Sequence, residues 1–264
     1  MDKIYNIACI GAGNVAGHLL PALFKAGHNI EQVISRTVSP GESFAKKLDA
    51  AFSKDISSLK PSVDILFLTV PDHVLPDLMS RLSWFKGLVA HTSGSVPLSY
   101  FGRIDFPRGV LYPLQTFSHG REIDFSDVPI FIEGSNAMAL SVLLEISSQI
   151  SSNVKELSSE NRAYLHLAAV FANNFPNHLI TIAKHILTDH GLETTLVDRL
   201  IRETIDKAIK AGDTESQTGP AIRGDIPTIK KHLNLLSFSA EFQRVYECLT
   251  TSIQEYYSTE FKNK

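Results

Sequence analysis

Ile4-Tyr5-Asn6-Ile7-Ala8-Cys9-Ile10-Gly11-Ala12-Gly13-Asn14-Val15-Ala16-Gly17 decides the fold of this chain. A short apolar run breaks into closely spaced glycines, the way a strand hands over to a helix around a phosphate. Gly11 allows the tight turn, Gly13 lets the backbone approach a pyrophosphate, and Ala16 takes the third, close-packing position. Asn14 and Val15 open the next helix, expected over 14–26, whose first N–H groups and dipole face the anion. The stretch predicts a dinucleotide site built on Gly11, Gly13, Asn14, Val15 and Ala16. A plain glycine turn is the alternative.

Outward from this loop, strand and helix alternate. Strands are expected at 5–10, 30–35, 65–70, 88–91, 110–112, 130–133 and 154–156, mostly as near-continuous apolar runs that suit a parallel sheet covered on both faces. Helices are expected between them, notably at 43–48, 74–82 and 136–150. This is a doubly wound, Rossmann-type α/β pattern. From Ser159 onward no strand pattern occurs, and helices are expected over 159–190, 194–211, 227–236 and 239–257, with a turn-rich stretch at 212–224. The expected organisation is a nucleotide-binding domain over 1–154 and an all-α domain for substrate and dimerisation over 155–264.

Composition excludes several classes. The chain has 264 residues, 44% of them hydrophobic and 20% charged, with a net charge of −3, so it carries no basic footprint for nucleic acid or anionic lipid. No apolar run is long enough for a bilayer, and Met1-Asp2-Lys3 leads straight into the first strand without a signal-peptide pattern. The two cysteines, Cys9 and Cys248, form neither a disulfide framework nor a zinc spacing, so no metal is expected and a cytoplasmic setting is.

The second strand names the dinucleotide. It ends in Ser35-Arg36-Thr37, a fork-shaped cation between two hydroxyls, which suits the 2′-phosphate of NADP rather than the free ribose of NAD. Glu31 has the spacing of an NAD-type acid but sits at the wrong end of that strand. A solvated loop charge is the alternative for Arg36.

Three further strand ends carry polar residues: Val70-Pro71-Asp72, His91-Thr92-Ser93-Gly94 and Tyr112-Pro113-Leu114-Gln115. Open α/β sheets bind ligands beyond these ends. Val70 and Pro71 are expected beside the cofactor, and Thr92 and Ser93 against the nicotinamide amide or a substrate carboxylate, with turn chemistry as the alternative. In the long apolar helix, His166, Asn173 and Asn177 lie seven and eleven residues apart, within about 20° of one line at 3.6 residues per turn. Val170 shares that face, and Pro176 is expected to kink the helix. His166 is a candidate proton donor, since histidine titrates near neutrality. A satisfied core or interface histidine is the alternative. Asn173 and Asn177 are candidate substrate contacts. Arg223, in the loop Thr218-Gly219-Pro220-Ala221-Ile222-Arg223-Gly224-Asp225, is a candidate anion contact or part of a capping turn.

These motifs resemble, along essentially the whole chain, the bacterial proteins that join a Rossmann-like NAD(P)-binding domain to a helical C-terminal domain of unknown function, usually labelled NADP oxidoreductases. More distantly the chain is similar to pyrroline-5-carboxylate reductases, β-hydroxyacid dehydrogenases and deazaflavin-dependent NADP oxidoreductases. The resemblance implies an enzyme moving a hydride between nicotinamide and a small carbonyl or imine compound in an interdomain cleft. From the residues themselves, His166 and Asn173 are read as catalytic and Thr92, Ser93, Asn173, Asn177 and Arg223 as substrate-binding, and the many apolar residues of the small helical domain predict a homodimer through the C-terminal helices. If Asn174 matches the asparagine that follows the hydroxyacid dehydrogenases' catalytic lysine, Val170 occupies the lysine position. The hydroxyacid reaction is therefore not carried over, and an NADP-binding sensor without turnover is the rival reading.

Overall fold

The computed structural model describes residues 3–102, 106–118, 120–211 and 217–260. Residues 1–2 and 212–216, the start of the chain and of the turn-rich stretch, lie outside the described residues. The chain divides into two compact units, residues 1–173 and 174–264.

In the first unit, β1 (Asn6–Ile10), α1 (Asn14–Lys25), β2 (Asn29–Ile34), α2 (Val38–Lys47), β3 (Ala51–Ser53), β4 (Ile65–Leu68) and α3 (Leu75–Ser80) follow one another. Then come β5 (Leu88–His91), β6 (Arg108–Pro113), β7 (Ile130–Gly134), α4 (Ala137–Ser148), β8 (Val154–Glu156) and α5 (Ser159–Ala169). The strands form one sheet in the order β3-β2-β1-β4-β5-β6-β7-β8. This is the doubly wound α/β arrangement, and the order reverses between β1 and β4, where such sheets open a crevice.

Burial alternates along the central strands. Ile7 and Cys9 of β1 face one apolar cluster with Leu19, Leu20 and Leu23 of α1, while Ala8 and Ile10 face another with Leu75, Leu78 and Met79 of α3. In β4, Ile65 and Phe67 join the first cluster and Leu66 and Leu68 the second. Period-2 alternation between two apolar layers is why these strands read as unbroken hydrophobic runs.

The structure departs from the sequence reading at three places. The β6–β7 pair is antiparallel, and no helix occurs among the described residues between these strands to make the crossover a parallel pair needs. β3 has only three residues at the sheet edge, too few to show a period. α2 begins at Val38 rather than near 43, because Pro40 lies in the first turn, where the missing N–H breaks no intrahelical bond.

The second unit is helical: α6 (Phe175–Asp189), α7 (Asp198–Ala211), α8 (Ile226–Leu235) and α9 (Ala240–Glu260), with a 3₁₀ turn at Thr194–Val197. The backbone between α5 and α6 is a π turn, Val170–Asn174, directly before Pro176. Proline in the first turn of α6 cannot donate to the residue four back, and the π turn re-routes the helix bonding there. The 3.6-residue period that aligned His166 with Asn173 therefore stops at Ala169.

Candidate active site

The glycine loop leaves β1 with Gly11 at φ +112°, and its N–H donates to the Ile34 carbonyl at 2.8 Å. A Cβ at Gly11 would lie 2.5 Å from the Thr69 carbonyl oxygen, so no other residue fits without moving β4's end. Thr69 locks the turn from that side, its hydroxyl meeting the carbonyls of Ile10 at 3.3 Å and Gly11 at 3.2 Å. Cys9 Sγ lies 3.1 Å from the same hydroxyl, and burial pushes its thiol up to about 12, so it acts as a small core residue.

Gly13 is the N-cap of α1 and supplies no side-chain cap, and the first turn holds no acidic residue. The leading N–H groups and the helix dipole are thus left for an outside anion. A Cβ at Gly13 would meet no protein atom within 4 Å, so the backbone borders open space. Ala16 is wholly buried against the core. This arrangement fits a pyrophosphate.

A crevice of about 390 Å³ joins this loop to Ser35, Arg36 and Thr37 after β2 and to Val70 and Pro71 after β4. Ser35 Oγ accepts the Thr37 N–H at 3.3 Å, which shapes the turn that carries the exposed Arg36. Lys54 and Arg81 also line the crevice. Sequence reasoning passed over both, because an isolated cation after a short edge strand or at a helix end carries no local signal. Glu31 is paired with Lys60 at 3.0 Å and is not among the crevice residues.

At the end of β5, His91 is fully buried, and burial together with the Arg162 guanidinium lowers it to about 3, so the ring is neutral. Its Nδ1 accepts the Ser93 N–H at 3.1 Å. Ser93 Oγ accepts the N–H groups of Ser95 at 3.1 Å and Val96 at 3.0 Å, so this hydroxyl shapes the loop. Ser95 in turn donates to Asp72 Oδ2 at 2.5 Å, tying the loop after β5 to the one after β4. The half-buried Thr92 hydroxyl has no protein partner among the described residues and remains available to a ligand.

His166, on α5, packs against this edge. The Tyr112 hydroxyl on β6 lies 3.1 Å from His166 Nδ1, and the rings meet edge to face at 6.0 Å. Gly94 makes room for the pair: a Cβ there would fall 2.7 Å from His166 Nδ1 and 2.9 Å from Tyr112 Cζ. Below them, Arg162 is 1% exposed and pairs with Glu133 of β7, while its Nη2 donates to the Val96 carbonyl at 2.7 Å. Ser159 donates to Glu133 at 2.7 Å and accepts the Leu98 N–H at 2.9 Å. The first turns of α5 are thus pinned both to the sheet and to the loop that carries Thr92 and Gly94.

The remaining candidates are placed as follows. Asn173 is exposed on the π turn. Val170 opens that turn and is half-buried. Asn177 and Arg223 belong to the second unit and are exposed there. Asp225, two residues after Arg223, caps α8 by accepting the Thr228 N–H at 3.1 Å, so the triplet Arg223-Gly224-Asp225 ends as a capping turn. Among the described residues no cluster of histidine, cysteine or carboxylate side chains is arranged to hold a metal, and no helix is long and apolar enough to cross a membrane.

Comparison with known proteins divides the chain elsewhere than between residues 173 and 174. Residues 6–91 match the family described as NADP oxidoreductase, coenzyme F420-dependent, and residues 128–253 match a domain of unknown function. A Bacteroides fragilis protein provisionally assigned as an NADP oxidoreductase is 37% identical, with 96% of this chain and 98% of that chain covered and a TM-score of 0.90. An imine reductase of Myxococcus stipitatus in complex with NADP+ is 16% identical over 96% of this chain and 94% of its own, with a TM-score of 0.63. A 1-pyrroline-5-carboxylate reductase of Streptococcus pyogenes is 13% identical over 96% and 99%, with a TM-score of 0.58. These last two share the fold. No curated protein matches the chain. The chain belongs to the NADP oxidoreductases that carry this nucleotide-binding domain ahead of the C-terminal domain of unknown function.

Proposed function

We propose that the chain reduces or oxidises a small carbonyl or imine compound with NADP, using His166 as the proton donor and acceptor. The nicotinamide, when bound, supplies or takes the hydride at C4. His166 gives a proton to the substrate oxygen or nitrogen as the neighbouring carbon is reduced. Thr92 and Asn173 orient the substrate, and Ser93, Asn177 and Arg223 are assigned to its polar groups. Residues 1–154 hold the dinucleotide, and residues 155–264 serve substrate binding and dimerisation.

The observation that carries this reading is His166 held against Gly94 and Tyr112 at the carboxyl edge of β5 and β6. That edge continues the one from which the glycine loop leaves β1. Neighbouring strands are about 4.8 Å apart, so β5 stands about 10 Å from β1 across β4. The first test is NADPH consumption against a panel of small aldehydes, ketones and cyclic imines. Turnover of one class supports the reading; tight NADPH binding with no turnover of any supports the sensor reading, which Val170 favours.

Arg36 is proposed to read the 2′-phosphate. A charge-assisted hydrogen bond contributes about 1.5–3 kcal/mol, so Arg36→Ala is expected to weaken NADPH binding roughly 10- to 100-fold by calorimetric titration. NADH binding should stay nearly unchanged. Equal weakening of both would remove Arg36 from that role.

We also propose a cytoplasmic homodimer formed through the C-terminal helices. On α7, Leu200 is 65% and Ile209 78% exposed, and in the second unit the buried apolar residues among those described are Ala221, Ile229 and Leu236, each still 8% exposed. Apolar faces of this kind are covered in stable assemblies. The free thiols of Cys9 and Cys248 suit a reducing compartment. Sedimentation at micromolar concentration is expected to give a dimer, and a monomer would contradict the proposal.

A further inference from the structure

Resting on the reading that Arg36 takes the 2′-phosphate of NADP, we propose that Lys54 is the second cation of that site and sets, with Arg36, the preference for NADP over NAD. The two residues leave neighbouring strands side by side. β2 and β3 run parallel with Ile34 opposite Ser53, and the Ser35 N–H donates to the Ser53 carbonyl at 3.0 Å. Strands paired in this way are about 4.8 Å apart, so the backbone at Lys54 runs beside the turn that carries Arg36. Ser53 Oγ accepts the Asp55 N–H at 3.0 Å and bends the chain at Lys54. α2 holds both strand ends: a Cβ at Gly41 would fall 2.7 Å from the Phe52 ring and 3.1 Å from Ser35 Cβ. Arg36 and Lys54 are both exposed, and both line the crevice that begins at the glycine loop.

The charges around the crevice single out these two. Among the described residues it is lined by the cations Arg36, Lys54 and Arg81 and by the carboxylates Asp55 and Asp77. Arg81 pairs with Asp77 at 3.7 Å. Asp55 accepts the Ser57 N–H at 2.9 Å and the Ser57 hydroxyl at 2.6 Å, and these bonds, with the Arg81 charge, hold its carboxyl below the usual carboxylate range. Both carboxylates are thus engaged with Ser57 and Arg81. Arg36 and Lys54 take part in no ion pair among the described residues. A phosphate monoester carries about −1.5 to −2 charges near neutral pH, on three strongly accepting oxygens. One guanidinium offsets at most one of those charges. The Arg36 fork can grip two of the oxygens, and the Lys54 ammonium supplies a point charge for the third. The 2′-hydroxyl of NAD carries no charge for a second cation to meet.

Calorimetric titration of the full chain with NADPH and with NADH tests the assignment. Lys54→Ala is expected to weaken NADPH binding about 5- to 20-fold, less than Arg36→Ala, because water and salt screen an exposed ammonium. NADH binding should stay within about twofold, since it lacks the charge in question. Lys54→Arg keeps the cation and should bind NADPH within about threefold of wild type. The double variant Arg36→Ala with Lys54→Ala should bind the two dinucleotides within about threefold of each other. Lys54 is exposed, so the unfolding temperature of the ligand-free variants should match that of wild type. Unchanged NADPH binding in Lys54→Ala would overturn the proposal. So would equal weakening of NADPH and NADH, which would assign Lys54 to the part that both dinucleotides share. The Arg36 reading fails on a separate result, Arg36→Ala weakening both dinucleotides equally. A loss confined to NADPH in Lys54→Ala would then leave Lys54 reading the phosphate without Arg36, so the two failures are distinguishable.

Discussion

His166→Ala is expected to slow NADPH-dependent turnover by about 10²- to 10⁴-fold, the usual contribution of a positioned general acid. The loss should fall on kcat and on kcat/KM together, because the proton is needed as charge develops on the substrate and not before. NADPH affinity should change little, since the cofactor crevice runs along β1, β2 and β4 while His166 packs against Gly94 and Tyr112. Stability should change little as well: His166 is half-buried, and among the described residues its one side-chain hydrogen bond is to Tyr112. The measurement is steady-state kinetics on the best substrate from the panel, with cofactor titration as the control. A kcat unchanged within threefold would end His166's role as proton donor.

Glu133→Leu is expected to cost about 3–5 kcal/mol of stability, because it leaves the Arg162 guanidinium buried and without its countercharge. For a unit of this size that corresponds to a fall in Tm of about 6–20 °C. Glu133 keeps 18% of its side-chain surface, which places the effect toward the lower end. The double change Glu133→Leu with Arg162→Met should recover most of the loss, since an apolar pair of similar volume replaces the ions without stranding either. Calorimetric unfolding of the three proteins checks both statements. A single variant as stable as wild type would show that Arg162 finds its compensation elsewhere. Arg162 also lies one helical turn before His166, so the single variant should lose turnover beyond what its folded fraction explains.

Much of the first unit was legible because its strands lie between two apolar layers and must be apolar on both faces. The loop over 11–17 was legible because turn, phosphate approach and helix packing each require a small residue at a fixed offset. What escaped did so for physical reasons. β3 is too short to show a period, and Pro40 reads as a breaker unless it lies in a first turn. Tyr112 reads with the polar end of its strand, but its pairing with His166 escaped, since sequence does not tell which strand end a helix crosses. Gly94 looks like turn chemistry, whereas its lack of a side chain serves the two rings packed on it. Arg162 follows a serine cap and a glutamate and so reads as a solvated first turn, yet it is buried on Glu133, far away in sequence. Lines drawn at a constant 3.6 residues per turn cannot foresee a π turn, although Pro176 marks where the helix had to yield.

The way Thr69 grips Gly11 has a bearing on how such a protein can change. The curve of the phosphate loop is set by backbone bonds to β1, to the Ile34 carbonyl of β2 and by the Thr69 hydroxyl after β4, whereas the residues proposed to recognise the adenosine ribose are the side chains over 35–37. On this proposal, holding a dinucleotide rests on backbone and the Thr69 hydroxyl, and choosing between dinucleotides on side chains over 35–37 and on Lys54. On that proposal, substitutions over 35–37 are expected to exchange one redox pool for another while the grip on the pyrophosphate persists, so the preference would drift in small steps with a working enzyme at each.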